Sequence, residues 1–143
     1  MFTQQMNKRV NCLVSAAIVL TLAAGFVASA AFAKVVLNTI DPVAIVADNG
    51  RHLVVTGPVA CDQRERTYLR VTVTQRTTGA VAEGDTFITC TVEIQQWEVH
   101  AVTRGKASFE DGPATAVAIA VSNSRGQTTD AHQWLVNITL VEE

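Results

Sequence analysis

The sequence lacks the short motifs that organise many catalytic and metal sites. It has no G-x-S-x-G or S-x-x-K segment, so neither of these serine-nucleophile arrangements is indicated. It has no C-x-x-C pair, which argues against a redox-active dithiol. Three histidines, His52, His100 and His132, show neither H-x-H nor H-E-x-x-H spacing, and a zinc site needs three or four converging ligands. We therefore predict a non-enzymatic protein with no catalytic residues, no metal site and no cofactor.

Calcium-loop patterns are also absent. Acidic residues accompany glycine at residues 48–50, 83–85 and 110–112, and calcium prefers oxygen-rich loops of this kind. None of the three matches D-x-[DN]-x-[DN]-G, and acidic residues with glycine form turns without any metal. We interpret the three segments as turns.

The first 33 residues differ in composition from the rest of the chain. Lys8 and Arg9 are followed by residues 12–33, which carry no charge and are rich in Ala, Val and Leu. The run ends in Ala31-Phe32-Ala33, a small-x-small sequence typical of signal-peptide cleavage. The pattern predicts a signal peptide over residues 1–33, and hence a secreted or extracellular protein.

We predict a single domain over residues 34–143. An alternative cleavage point follows Ala28-Ser29-Ala30. The alternative is a membrane anchor formed by residues 11–33, because about 20 apolar residues can span a bilayer. Removal of the leader would leave nine Lys and Arg against 13 Asp and Glu, a net charge of −4. Nucleic acids and anionic membranes need a basic surface, so we predict no nucleic-acid partner, and a membrane contact only if the anchor is retained.

Two cysteines, Cys61 and Cys90, lie within the predicted domain. In an exported protein such a pair favours a disulfide bond, and two free thiols are the alternative. Closing a loop of this length would stabilise the fold by about 3–4 kcal/mol in the chain-entropy model.

Alternating apolar and polar residues predict β-strands throughout the domain. The clearest strand covers residues 67–76, and another covers residues 86–94 with Cys90 on its apolar face. The alternation changes phase at Gln95-Gln96, which predicts a β-bulge or bend. The apolar pattern at Trp97, Val99 and Ala101 continues the second strand beyond this point, and shorter runs predict strands at residues 43–47, 52–56, 107–110, 115–121 and 131–141.

About seven strands with turn residues every 8–12 positions predict an all-β fold. We expect an antiparallel, immunoglobulin-like β-sandwich preceded by a signal-peptide helix, with a partly open barrel as the alternative. The cysteines are too close in sequence for the usual immunoglobulin bridge. We expect their bond to join the segment before one strand to the middle of the next.

Four segments of the predicted domain stand out: residues 56–61 (TGPVAC), residues 69–75 (LRVTVTQ), residues 78–84 (TGAVAEG) and Gln133-Trp134. Together they resemble a family of small secreted bacterial proteins of unknown function. It implies secretion and a β-rich fold, and it carries no functional residues.

Two aromatic residues, Tyr68 and Phe87, fall on polar strand faces, whereas Trp97 and Trp134 fall on apolar faces and are predicted to be core. Pairing of the two clearest strands about residues 80 and 81 would put Thr74 opposite Phe87. One outer face would then carry the candidate binding residues, which are Tyr68, Arg70, Thr72, Arg76, Phe87 and Thr89. The alternative is an ordinary solvent-facing sheet, on which strand propensity alone favours Thr, Tyr and Arg.

We predict a secreted or cell-surface binding or structural module whose partner is an extracellular protein or glycan. The alternative is a small secreted hydrolase or an enzyme inhibitor. A hydrolase would show a pocket with His100 or His132 beside a carboxylate. An inhibitor would use a protruding loop, at residues 77–85 or 122–130.

Overall fold

The computed structural model describes residues 37–143, and the predicted signal-peptide helix and alternative anchor lie outside them. The described residues form strands and no helix, so the all-β prediction is confirmed. They contain no apolar helix of membrane-spanning length. The eight strands are β1 (Leu37–Asn38), β2 (Val43–Ala47), β3 (His52–Ala60), β4 (Arg66–Gln75), β5 (Ala80–Thr89), β6 (Gln95–Thr103), β7 (Gly112–Ser124) and β8 (Gln127–Glu142).

The predicted two-sheet sandwich is wrong, because the sheet closes into a seven-stranded β-barrel. Neighbouring strands follow the order β3-β2-β8-β7-β4-β5-β6, and β6 then pairs with β3 from His52↔Val102 to Val59↔Gln95. The pairing of β2 with β8 is parallel and the other pairings are antiparallel. The short β1 pairs with the end of β3. A sandwich and a barrel both bury alternate residues, so alternation alone does not distinguish them.

Some inward-facing side chains of the barrel are small, most clearly those of β7. Ala116, Ala118 and Ala120 of β7 point inward and are at most 1 % exposed. The larger residues between them point outward, and Ile119 is 41 % exposed. This strand therefore buries its smaller residues, which fill less of the narrow interior of a small barrel. Larger inward side chains from the other strands complete the core, including Leu53, Val55, Leu69, Val71, Val73, Val99 and Leu140.

The predicted disulfide is present, with Cys61 and Cys90 joined at an S–S distance of 2.01 Å. Cys61 lies just beyond β3 and Cys90 just beyond β5. The bond therefore joins the ends of two strands that both neighbour β6, and Cys90 is not in mid-strand as predicted. The Thr67 hydroxyl lies 3.3 Å from the Cys90 sulfur and 2.8 Å from the Ser122 hydroxyl, which ties this end of the barrel to β4 and β7.

The strands predicted at residues 86–94 and 107–110 need correction. The predicted strand over residues 86–94 ends at Thr89, and the chain turns through residues 90–94 before β6 begins. The phase change at Gln95-Gln96 thus follows a bend between two strands, and the bulge alternative is wrong. Residues 107–110 form a loop, in which Phe109 is buried and its N–H donates to the Gly50 carbonyl oxygen.

Candidate functional site

The β4–β5 hairpin carries the predicted binding face, but in a different register from the predicted one. Gln75 pairs with Ala80 across a turn at residues 76–79, where Gly79 has a φ of 73° and donates its N–H to the Gln75 carbonyl oxygen. The predicted turn at residues 80 and 81 is therefore wrong by three positions. Glycine takes this left-handed conformation without steric cost, which accounts for the earlier turn. Tyr68 consequently lies directly opposite Phe87.

All six predicted face residues lie on the hairpin, but they do not form one cluster. Tyr68 and Phe87 meet near its open end, away from the turn, and Arg70 and Thr72 follow along β4 toward the turn. Thr89 lies at the far end of β5, opposite Arg66. Arg76 lies in the turn, eight residues from Tyr68, which is about 26 Å along an extended strand. We therefore exclude Arg76 from the site.

An aromatic–cationic cluster forms the centre of the face. The Tyr68 and Phe87 rings are 5.1 Å apart between centroids and tilted by 50°. The guanidinium carbon of Arg66 lies 4.3 Å from the Phe87 ring centroid, within cation–π range. Phe87 is still 55 % exposed. We call Arg66, Tyr68, Arg70 and Phe87 the aromatic patch.

Beside the aromatic patch, one carboxylate holds two arginines. Oxygen Oε2 of Glu83 is 3.0 Å from Nη2 of Arg70 and 3.2 Å from Nη2 of Arg104. The Arg70 side chain is 50 % exposed and that of Arg104 is 71 % exposed, so both guanidiniums keep donors directed at solvent. Sequence analysis missed Arg66, Glu83 and Arg104, because their placement depends on the pairing of β4 with β5 and of β5 with β6.

Two shallow depressions flank this charged group. Gly84 lies between Glu83 and Asp85 on β5, and a Cβ at this position would lie 2.5 Å from the His100 carbonyl oxygen of β6. The absence of a side chain at Gly84 therefore allows β5 to approach β6 closely. One depression, of about 250 Å³, is lined by Tyr68, Arg70, Glu83, Gly84, Asp85 and Arg104. The other, of about 330 Å³, is lined by Glu83, Gly84, Asp85, His100, Val102, Thr103 and Arg104.

A larger depression, of about 470 Å³, lies between the β2–β3 turn and the C-terminus. Its lining includes Asp48, Glu142 and Glu143 but no cationic or aromatic side chain. We do not assign it a role, because acidic residues at a turn and a chain end have an ordinary explanation as solvated surface.

Apolar side chains extend the aromatic patch across β7 and β8. Tyr68 pairs with Val121, and Arg70 with Ile119. In the next row Val117 pairs with Leu135 of β8, which is 64 % exposed. The outer face of β5, β4, β7 and β8 thus presents exposed Phe87, Ile119 and Leu135 on neighbouring strands. Exposed apolar side chains grouped on neighbouring strands are typical of interaction sites.

Two of the three histidines meet on the outside of the barrel. Nδ1 of His100 lies 3.1 Å from Nε2 of His52, and the two rings are nearly parallel. Nε2 of His100 lies 2.8 Å from Oε1 of Glu98. The third histidine, His132, lies on β8 with its ring 5.8 Å from that of Trp134. Sequence analysis placed the histidines on separate strands, and no local signal indicated that β3 and β6 are neighbours.

The core prediction for the tryptophans is confirmed for Trp97, which is 3 % exposed. Trp134 is half-buried and packs against the edge of the core.

Comparison with protein-family models and with curated protein sequences finds no match to the chain. The family resemblance drawn from sequence thus stays a prediction, and the case for function rests on the surface itself.

Proposed function

We propose that the chain is an exported, non-enzymatic binding module whose outer β4–β5 face docks a protein partner. The observation that carries the proposal is the aromatic patch, in which Phe87 stays 55 % exposed while it contacts Tyr68 and Arg66. Tyr, Phe and Arg are enriched at protein interfaces, and Tyr and Arg are also enriched among the residues that dominate their binding energy. The Cys61–Cys90 bond is consistent with an oxidising, extracellular environment.

The shape of the patch favours a protein partner over a glycan. A sugar ring stacks on an open, flat aromatic face, whereas Arg66 already covers the Phe87 ring at 4.3 Å. The 50° tilt between Tyr68 and Phe87 also prevents the two rings from forming one flat platform. A protein side chain can instead fill the irregular surface between the rings and extend over Ile119 and Leu135.

The charges around the patch indicate what the partner presents. Arg70 and Arg104 share Glu83 and keep solvent-directed donors, while Arg66 adds a further cation. A partner with carboxylates beside an apolar side chain would complement this arrangement, because guanidinium groups bind carboxylates in bidentate geometry. Three arginines against Glu83 and Asp85 give this face a net charge of +1 on a predicted domain that is acidic as a whole.

Replacing Phe87 with alanine should weaken partner capture at least about 30-fold, the effect of losing a hot-spot residue worth about 2 kcal/mol. The purified protein is immobilised and exposed to its own extracellular milieu, and retained material is quantified by mass spectrometry. The matched control is Val92→Ala, which removes a 79 % exposed apolar side chain in the loop after β5, outside the patch. That variant should capture as the parent does.

Pretreatment of the milieu distinguishes the two partner classes. Protease should abolish capture, and periodate oxidation of glycans should leave it unchanged. The proposal fails if Phe87→Ala and Val92→Ala capture equally, or if periodate rather than protease removes the retained material.

A hydrolase is the second candidate, favoured by the depression that holds His100 beside Glu83 and Asp85. Glu98 would orient His100 as a general base acting on water. Among the described lining residues, Thr103 has the only side-chain hydroxyl, and its oxygen is buried and so cannot serve as a nucleophile.

The inhibitor alternative needs a protruding loop, whereas residues 76–79 and Arg125-Gly126 form short turns between strands.

We expect the purified protein to release no product from chromogenic esters, glycosides or peptides. Saturable turnover that disappears in His100→Ala and persists in His132→Ala would replace the binding proposal with the hydrolase.

A further inference from the structure

We propose that His52 and His100 form a binding site for a divalent transition-metal ion on the outside of the barrel. His52 begins β3 and His100 lies on β6, and the pairings His52↔Val102 and Val54↔His100 make the two histidines diagonal neighbours on one face. Their facing ring nitrogens, Nε2 of His52 and Nδ1 of His100, are 3.1 Å apart. This inference is independent of the proposed partner-binding face.

The separation of the nitrogens suits a shared metal ion. Zinc–nitrogen bonds are about 2.0–2.1 Å long, so two nitrogens on one ion at about 90–109° lie about 2.8–3.4 Å apart. The observed 3.1 Å falls inside that interval. Binding requires only that the two rings turn their lone pairs toward a common point on the solvent side, with no backbone movement.

Glu98 prepares His100 for this role. Its Oε1 is 2.8 Å from Nε2 of His100 and accepts a hydrogen bond from that N–H, which leaves a lone pair on Nδ1, the nitrogen nearest His52. A carboxylate that holds the distal nitrogen of a ligating histidine is the usual outer partner of a metal-binding imidazole. Without metal, Nε2–H of His52 donates to Nδ1 of His100. When metal binds, His52 carries its proton on Nδ1 instead, so no net proton transfer is required.

The ligand set indicates the kind of ion. Imidazole nitrogen suits Zn²⁺, Cu²⁺ and Ni²⁺, whereas Mg²⁺ and Ca²⁺ require oxygen ligands. Residues 37–143 contain no cluster of three or more metal-ligating side chains, so the two histidines fall short of the three or four protein ligands of a dedicated zinc site, and water completes the coordination. The His100 side chain is 59 % exposed, which leaves the site open to exchange with solvent. Such a site keeps positions free for a further ligand, unlike a closed structural zinc site.

The test is a Zn²⁺ titration of the purified protein near pH 7.5, followed through the imidazole NMR signals. The signals of His52 and His100 should shift together and saturably at one ion per chain, while those of His132 should not move. His52→Ala or His100→Ala should weaken binding more than tenfold, and His132→Ala is the matched control that should bind as the parent does. Ca²⁺ at the same concentrations should shift none of the three.

Glu98→Gln supplies a second readout of the assigned geometry. Loss of an outer carboxylate typically weakens metal binding 10- to 100-fold, so Zn²⁺ affinity should fall within that range while both histidines still shift. The site is refuted if all three histidines respond alike, if His52→Ala binds Zn²⁺ as tightly as the parent, or if Glu98→Gln has no effect.

Discussion

Replacing Cys61 and Cys90 together with alanine should lower the free energy of unfolding by about 3–4 kcal/mol. The bond closes a loop between residues 29 apart in sequence, and its loss restores that conformational freedom to the unfolded chain. It also joins the ends of β3 and β5, where β5 no longer pairs with β6. β5 and β6 pair at Ala82↔Thr103 and Glu83↔Val102, toward the other end of β5. The disulfide therefore ties β5 to β3 at the end where β5 and β6 are not paired.

Urea denaturation followed by tryptophan fluorescence measures this effect, and reduction of the parent protein should reproduce it. The control is Val92→Ala, which truncates a 79 % exposed side chain two residues after Cys90 and should leave the unfolding midpoint nearly unchanged. A double variant as stable as the parent would contradict the stabilising role of the bond. Both cysteines are buried, so a loss above 4 kcal/mol would reflect cavity formation in addition to the freed loop.

Local patterns predicted the strands well because each strand has one face in the core. Val43–Ala47 agrees in both bounds, and the 67–76 prediction differs from Arg66–Gln75 by one residue at each end. The disulfide followed from the cysteine count and the inferred compartment. These features depend on residues near one another in sequence, or on chemistry that does not require a topology.

Features that depend on long-range pairing were not predictable in the same way. Closure through β3 and β6 joins segments about 45 residues apart, and neither strand carries a signal for its neighbour. The same pairing brings His52 beside His100. The aromatic patch was predicted in part, because Tyr68 and Phe87 were placed on outward faces. Arg66 and Arg104 depend on register, and a turn three positions away changes every cross-strand partner.

The outward-facing apolar residues of β7 show where composition misleads. Alternation of Ala with Val and Ile leaves open which set is buried, and hydrophobicity alone favours burial of the larger one. The barrel buries Ala116, Ala118 and Ala120 instead, and Ile119 contributes to the outer surface. An apolar surface beside Tyr68 therefore follows from the volume available inside a small barrel, and this volume became evident only with the closed topology.

Replacing Trp97 with alanine should lower the free energy of unfolding by about 3–5 kcal/mol, as for other buried aromatic residues. Trp97 is 3 % exposed and lies opposite Gly57 of β3. A Cβ on Gly57 would be 2.6 Å from the indole Cζ2, so the ring rests directly on the glycine backbone, which has no side chain to fill the space it leaves. The control is Phe87→Ala, which truncates an aromatic residue that is 55 % exposed and should cost about 1 kcal/mol or less.

The strands that lose protection in Trp97→Ala test whether the β3–β6 pairing closes the barrel. Trp97 packs across the β3–β6 pairing, which is the junction that converts the sheet into a barrel. Amide hydrogen exchange in Trp97→Ala should therefore accelerate most at β3 and β6, while the β4–β7 pairing keeps more of its protection because its contacts are unchanged. Uniform acceleration in all strands would mean that the barrel opens only by global unfolding. Equal stability losses in Trp97→Ala and Phe87→Ala would contradict the placement of the indole in the core.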